Sequence, residues 1–299
     1  MNAVTLKHLR YFDALSRHGH FGRAAEACAI SQPALSVQVR ELEAILGAPL
    51  VERGPRRIRL TSLGETLAVR ARDILRAVDD LGELARSASG PLAGQLRIGV
   101  IPTVAPYLLP SIIKALASHH PGLDLRPREA VTRTLIADLT AARLDAAVVA
   151  LPVSEPSLVE TPLMTEEFIL VRPAADEDKP VPGPDTLRAM RLLLLEEGHC
   201  FRDQAIAFCS GGGAPRELME GSTLSTLVQM VGAGIGVTLI PEMAAPVEAR
   251  SAPVSIARLA APRPTRTIGM VWRRTTPLAG QLGEIAAIVR AAADGLRPA

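Results

Sequence analysis

Two thiols nine positions apart, Cys200 and Cys209, frame the run His199-Cys200-Phe201-Arg202-Asp203-Gln204 and its apolar continuation. A free cysteine has a pKa near 8.5, so only about 3% is thiolate at pH 7. The thiolate is the reactive form, and a helix N-terminus or a nearby cation favours it. Cys200 has His199 beside it, Arg202 two residues on and a helical pattern beginning at Asp203. The plain alternative is a small buried hydrophobe, the ordinary fate of a free cysteine. Cys28, on a short helix, reads that way, and Cys209, beside Phe208 and Ala207, leans the same way when taken alone. His199 is either a satisfied core histidine or a partner of Cys200. No metal site is expected, because His8, His18, His20, His119 and His120 lack a thiol or carboxylate at ligand spacing. No cofactor is expected either.

A second chemistry is carried by charge. Arg53, Arg56, Arg57 and Arg59 fall within seven residues that contain no acid. Residues 1–89 hold 13 Lys and Arg against 10 Asp and Glu, and residues 90–299 hold 20 against 21. A cluster of this kind is a solvated loop or a nucleic-acid contact, and its neighbours decide between them.

Those neighbours are short helices. Leu6, Leu9, Phe12 and Leu15 keep helical spacing, and Gly19 and Gly22 interrupt it. A second helix covers Arg23 to Cys28. Ser31 is a good N-cap for a third, Pro33 suits its first turn, and Gly47 ends it. On that third helix Leu35, Val39 and Leu42 share one face, which leaves Pro33, Ser36, Val37 and Arg40 on the other, with Gln32 at its start. A hairpin with a Gly54-Pro55 turn follows. The spacing predicts a winged helix-turn-helix over residues 1–61.

From 62 to 89 the spacing predicts one long helix. Leu67, Ala71, Ile74, Val78, Leu81 and Ala85 form a heptad seam that should pair with its own copy as a homodimer. A hinge at Ser87-Ala88-Ser89-Gly90-Pro91 opens the third part, residues 90–299. There, short apolar runs (96–101, 123–128, 146–151, 168–171, 192–195 and 236–240) alternate with helical patterns. This rhythm implies parallel sheets covered by helices, arranged as a two-lobed α/β domain like a periplasmic binding protein. Lobe I takes about 95–163 and 268–299, lobe II about 164–267, and a ligand or sensing site would lie between them.

Composition agrees with this plan. The 299 residues are 48% hydrophobic, 21% charged and 3% aromatic, which excludes a disordered chain. No apolar run approaches the roughly 18–20 residues of a membrane helix, and three cysteines do not make a disulfide scaffold. Charges at intervals through the first thirty residues leave no room for a secretory signal, so a cytoplasmic protein with no membrane partner is expected.

Taken together, Ala24-Ala25, Ser31-Gln32-Pro33-Ala34-Leu35-Ser36, Arg40-Glu41-Leu42-Glu43, Leu46-Gly47, Leu50, Arg53 and Leu60-Thr61-Ser62-Leu63-Gly64 resemble LysR-type transcriptional regulators. The likeness continues through Gly234-Ile235-Gly236-Val237-Thr238-Leu239-Ile240-Pro241 and covers the whole chain. The stretch from Gly99 to Pro110, the Glu196-to-Ala205 run with Cys209, and Arg266-Thr267-Ile268-Gly269 are similar to the peroxide-sensing members of that family. Ala105 and Phe201 stand where relatives carry Gly and Leu, and Gly211-Gly212-Gly213 is unusual.

The resemblance implies a redox pair. Cys200 would attack hydrogen peroxide to give a sulfenic acid, and Cys209 would resolve it as a disulfide. Thr103, Thr132, His199 and Asp203 would bind peroxide or move protons, with Arg202 and Arg266 supporting the site. Gln32, Pro33, Ser36 and Arg40 would meet a double-stranded DNA operator, and Arg53, Arg56, Arg57 and Arg59 its backbone. The implied partners are a second copy building to a homotetramer, RNA polymerase, and a glutaredoxin or thioredoxin as reductant; the chain is not expected to be an enzyme.

Nine positions along a helix span about 13.5 Å, whereas a disulfide needs Cα atoms roughly 4.4–6.8 Å apart. A helix between the two thiols must unwind before they bond. A regulator gated by a small organic ligand is the rival within the same architecture, and it would give Cys200 no role. A thiol peroxidase is the rival of another class, and it would have no use for a DNA-binding head.

Overall fold

The protein, seen in a computed structural model, is described over residues 3–53, 58–87, 94–209 and 217–295. It divides into two compact units, Met1–Ala85 and Arg86–Ala299.

The first unit begins with α1 (Leu6–His18), opened by a Thr5–His8 capping box and closed by Gly19 in the left-handed region. Then come α2 (Phe21–Ala27), α3 (Gln32–Leu46), the hairpin β1 (Val51–Arg53) and β2 (Ile58–Leu60), and the long α4 (Ser62–Ser87). Phe12, Leu15, Leu35, Val39, Leu42 and Leu50 close over one core. Each such side chain contributes roughly 1.5–3 kcal/mol by leaving water. Gly64 lets α4 start against the hairpin, since a Cβ there would lie 2.1 Å from the Leu50 carbonyl oxygen. Along α4, Ala68 and Ala71 are buried, whereas Ile74 and Leu81 are 48% and 62% exposed. Among the described seam residues, Ala71 is thus covered within one chain, Leu67 and Val78 are half-buried, and Ile74 and Leu81 are left open.

In the second unit β3 (Gly94–Val100), α5 (Ala105–His119), β4 (Leu123–Glu129), α6 (Thr132–Thr140), β5 (Ala146–Leu151) and β6 (Leu158–Pro173) come first. Then follow α7 (Pro184–Ala189), β7 (Arg191–Leu195), α8 (Cys200–Cys209), β8 (Glu217–Gly221), α9 (Leu224–Gly232) and β9 (Val237–Pro241). The last elements are α10 (Ala245–Glu248), β10 (Val254–Arg258), β11 (Thr265–Arg273) and α11 (Ala279–Asp294).

These strands make two lobes that share β6. In lobe I, β3 runs parallel to β4 and β5, and β11 pairs antiparallel with β5 and with β6 as far as Glu167. From Phe168 onward β6 changes partners, pairing antiparallel with β9 and β10, while β7 runs parallel to β8 and β9 in lobe II. The sheets are thus mixed where the sequence rhythm predicts parallel ones. One sixteen-residue strand crosses from lobe to lobe, and its antiparallel neighbours need no crossover helix to reach it. A continuous apolar core runs from Ile98, Val100 and Val148 to Leu170, Leu193 and Ile240.

Candidate functional site

The site in the second unit is built where three strand ends meet. β7 is buried from Leu192 to Leu195, and Gly198, at φ 98°, turns the chain into α8. Only glycine takes that conformation without strain. The turn places His199 just before α8 and makes Cys200 its first residue. Opposite them, the loop after β3 carries Ile101, Pro102 and Thr103 into α5, and Val131 caps α6, whose first residue is Thr132.

Ile101, Pro102, Thr103, Val131 and Thr132 of lobe I line, with His199 and Cys200 of lobe II, a narrow crevice with no free volume for a water-sized molecule in this structure. Cys200 is a free, half-buried thiol. It stands at the helix end where backbone N–H groups favour an anion. Thr132 brings a buried hydroxyl oxygen with no hydrogen-bond partner among the described residues. An unmet polar atom of this kind costs about 1–3 kcal/mol unless a ligand or water completes it. Burial pulls the His199 imidazole below the usual histidine range, against the opposing pull of the Glu196 and Glu129 carboxylates. His199 is therefore a neutral ring at pH 7, able to donate at one nitrogen and accept at the other.

Thr103 is fixed from behind. Arg266, on β11, donates from Nη1 to Thr103 Oγ1 at 2.8 Å and from Nη2 to the Thr103 carbonyl at 3.1 Å. Its charge is met by Glu166, with Nε and Nη2 at 2.9 and 2.8 Å from Oε1. The other Glu166 oxygen accepts the Met243 backbone N–H at 2.9 Å. Arg266 and Glu166 are buried side by side, which makes the pair's geometry consequential. Because Thr103 Oγ1 already accepts from Arg266, the threonine's own hydrogen is left to donate elsewhere. The ring of Phe201, the residue after Cys200, lies 5.2 Å from the Arg266 guanidinium carbon.

Thr103, Thr132, His199 and Cys200 thus come together, with Arg266 directly behind Thr103. Arg202 and Asp203 do not line the crevice. Arg202 donates to the Leu195 carbonyl at 2.8 Å and pairs with Glu220 at 2.6 Å, and Asp203 is exposed. Cys209 ends α8, and its side chain lies outside the described residues. Sequence reasoning missed Glu166 and Glu129. A lone signal marked the first: an acidic pair, Glu166-Glu167, directly before the apolar run Phe168–Val171.

A wider cleft of about 160 Å³ adjoins this crevice, sharing Pro102, Thr103 and His199 and adding Glu129, Tyr107 and the Ser222–Ser225 turn. Beside it, Tyr107 Oη and Ser225 Oγ donate to Glu248 Oε1 at 2.7 and 2.9 Å, joining lobe I to lobe II. Burial and that carboxylate push the Tyr107 phenol well above the ordinary tyrosine range. Among the described residues no group of three or more potential ligands could hold a metal.

In the first unit, α3 presents a second surface. Leu35, Val39 and Leu42 face the core, Gln32, Pro33, Val37 and Arg40 are exposed, and Ser36 is half-buried. Arg40 Nε donates back to the Ser36 carbonyl at 3.2 Å. Glu43 Oε1 accepts from the Leu50 and Val51 amides at 2.8 and 3.2 Å, which fixes the hairpin to α3. Arg59 is exposed on β2; Arg53 ends β1, but its side chain, like Arg56 and Arg57, lies outside the described residues.

Residues 6–65 match the family described as bacterial regulatory helix-turn-helix protein, lysR family, and residues 89–294 match the LysR substrate binding domain. The chain is 41% identical, over 98% of its length and 97% of the relative's, to the DNA-binding transcriptional dual regulator OxyR of Escherichia coli K12. It is also similar to the full-length OxyR structure from Pseudomonas aeruginosa, at 35% identity and a TM-score of 0.73, covering 97% of this chain and 96% of that one. A cysteine mutant of Corynebacterium glutamicum OxyR with bound H2O2 matches at 34% identity and a TM-score of 0.67, covering 99% and 94%.

Proposed function

The chain belongs to the LysR family of bacterial regulators, and we propose that it is a DNA-binding transcriptional regulator of the peroxide response, switched at Cys200. One observation carries the reading: the first residue of α8 is a free thiol lining a narrow crevice with Thr103, neutral His199 and the Thr132 hydroxyl, which has no hydrogen-bond partner among the described residues.

The chemistry follows from those groups. The Cys200 thiolate attacks one oxygen of hydrogen peroxide and the O–O bond breaks. The departing oxygen leaves as water after taking a proton, and Thr103, held as a donor by Arg266, is placed to stabilise the charge that develops there. Cys200 becomes a sulfenic acid. The Cys209 thiol then attacks its sulfur, a second water leaves, and two thiols have been oxidised by two electrons to one disulfide. Because the pair terminates a helix, the bond replaces α8 with another chain path.

At the other end, Gln32, Ser36 and Arg40 on α3 suit base edges of the major groove, and Arg53, Arg56, Arg57 and Arg59 suit phosphates. The exposed Ile74 and Leu81 on α4 support pairing with a second copy. Assembly to a tetramer, contact with RNA polymerase, reduction by a glutaredoxin or thioredoxin, and a cytoplasmic setting complete the proposal. The 160 Å³ cleft beside the crevice favours one second reading, gating by a small organic ligand, in which Cys200 is dispensable.

Selection of binding sites from random duplexes, with protein kept reduced or treated with peroxide, tests the proposal. Both forms should choose dyad sites with half-sites whole helical turns apart, and the spacing should differ between them. Identical selections by both forms would remove the redox switch from the account.

A further inference from the structure

Resting on that reading, we propose that the Tyr107–Glu248 hydrogen bond sets the size of peroxide that Cys200 accepts, because it clasps the two walls of the crevice together. Those walls belong to different lobes, Thr103 and Thr132 to lobe I, His199 and Cys200 to lobe II. No water-sized molecule fits between them, so a peroxide reaches the thiol only as the walls part. The lobes share β6, and a small rotation about that strand widens or narrows the crevice.

Tyr107 is placed to resist that rotation. It stands on the first turn of α5, four residues after Thr103, and its hydroxyl donates across the lobes to Glu248 Oε1 at 2.7 Å. Ser225, on the first turn of α9, donates to the same oxygen at 2.9 Å and holds the carboxylate from within lobe II. Tyr107 and Glu248 are both buried, and among the described residues no cation pairs with Glu248. A buried carboxylate served by two hydroxyls is left short when one is removed, and it then draws in water. The wider cleft, lined by Tyr107, Thr103 and His199, is the way in for that water and for the oxidant. Hydrogen peroxide needs only a slight parting of the walls. An alkyl hydroperoxide can undergo the same step: the thiolate attacks its terminal oxygen, the O–O bond breaks, and the alkoxide takes a proton and leaves as an alcohol in place of water. Its alkyl group, however, needs the lobes farther apart. Loss of the clasp therefore favours the bulky oxidant.

The test uses the full chain with Cys209→Ser, which isolates the first step, and sulfenic acid formed at Cys200 is trapped with dimedone. Rates are measured with hydrogen peroxide and with cumene hydroperoxide, and the ratio of the two is the readout. Tyr107→Phe removes one oxygen and keeps the ring. It should lower the ratio roughly tenfold, about the worth of one hydrogen bond to a buried carboxylate, by speeding the cumene hydroperoxide reaction. Glu248→Ala should act in the same way and serves if the phenylalanine variant does not fold. Glu248→Gln keeps an acceptor oxygen for both hydroxyls and should hold the ratio within about twofold of the parent. An unchanged ratio in the loosened variants, or one lowered only because hydrogen peroxide reacts more slowly, overturns the proposal, and so does a Glu248→Gln ratio as low as that of Glu248→Ala. A Cys209→Ser parent that hydrogen peroxide does not oxidise at Cys200 overturns the sensing reading itself, and this inference with it.

Discussion

Cys200 and Cys209 are the first and last residues of one helix, the ten-residue α8. A span of nine residues at helical rise separates their Cα atoms by about 13.5 Å, about twice the reach of a disulfide. The helix and the bond are therefore mutually exclusive. Hydrogen exchange across α8 should report this, with amides from Phe201 to Phe208 exchanging much faster after peroxide treatment than before. Equal protection in both states, with the disulfide formed, would mean that the helix is not the element that switches.

His199 makes the reduced state sensitive to acid. Its folded pKa is depressed by burial below the usual value of 6.5. Below that value the unfolded chain takes up a proton that the folded chain does not, so stability is full above about pH 6.5 and falls as pH drops toward the folded pKa. Melting of the reduced protein from pH 8 to pH 5 should show this loss, and His199→Gln should flatten it. If the variant and parent melt in parallel over that range, His199 is not held neutral by its pocket.

The DNA surface separates into two classes. Arg40→Ala should cost about 1–3 kcal/mol on the preferred site and blur preference at one position in each half-site. Arg59→Ala should weaken all sequences alike and lower the salt slope by about one. Binding of each variant to preferred and scrambled duplexes across a salt series measures both. A change of sequence preference on losing Arg59, with none on losing Arg40, would exchange the roles given to helix and hairpin.

Much of the DNA-binding head and of the thiol site is legible in the sequence itself. The Ser31 cap, the Leu35/Val39/Leu42 stripe and Gly47 delimit α3 because local capping and helical periodicity are written in neighbouring residues. His199 and Cys200 announced themselves by adjacency. The shared strand β6 did not, because only its second half, Phe168–Val171, is a continuous apolar run; its first half carries Glu160, Glu166 and Glu167. The Arg266–Glu166–Thr103 contacts join residues 100 and 163 positions apart, which no local pattern reports. Arg202 shows the converse. Its nearness to Cys200 in sequence suggested a partner, yet helical geometry carries its guanidinium to Glu220 and the Leu195 carbonyl.

In the proposed switch, peroxide is read by Cys200 and stored as a bond to Cys209. Peptide mapping by mass spectrometry, before and after one equivalent of hydrogen peroxide, tests it most directly. The reduced protein should yield both peptides with free thiols, and the oxidised protein a single Cys200–Cys209 cross-linked species. Cys209→Ser should stop at a dimedone-reactive sulfenic acid on Cys200, and Cys200→Ser should not respond. A peroxide response that survives Cys200→Ser, or a disulfide formed with Cys28 instead, would contradict the account.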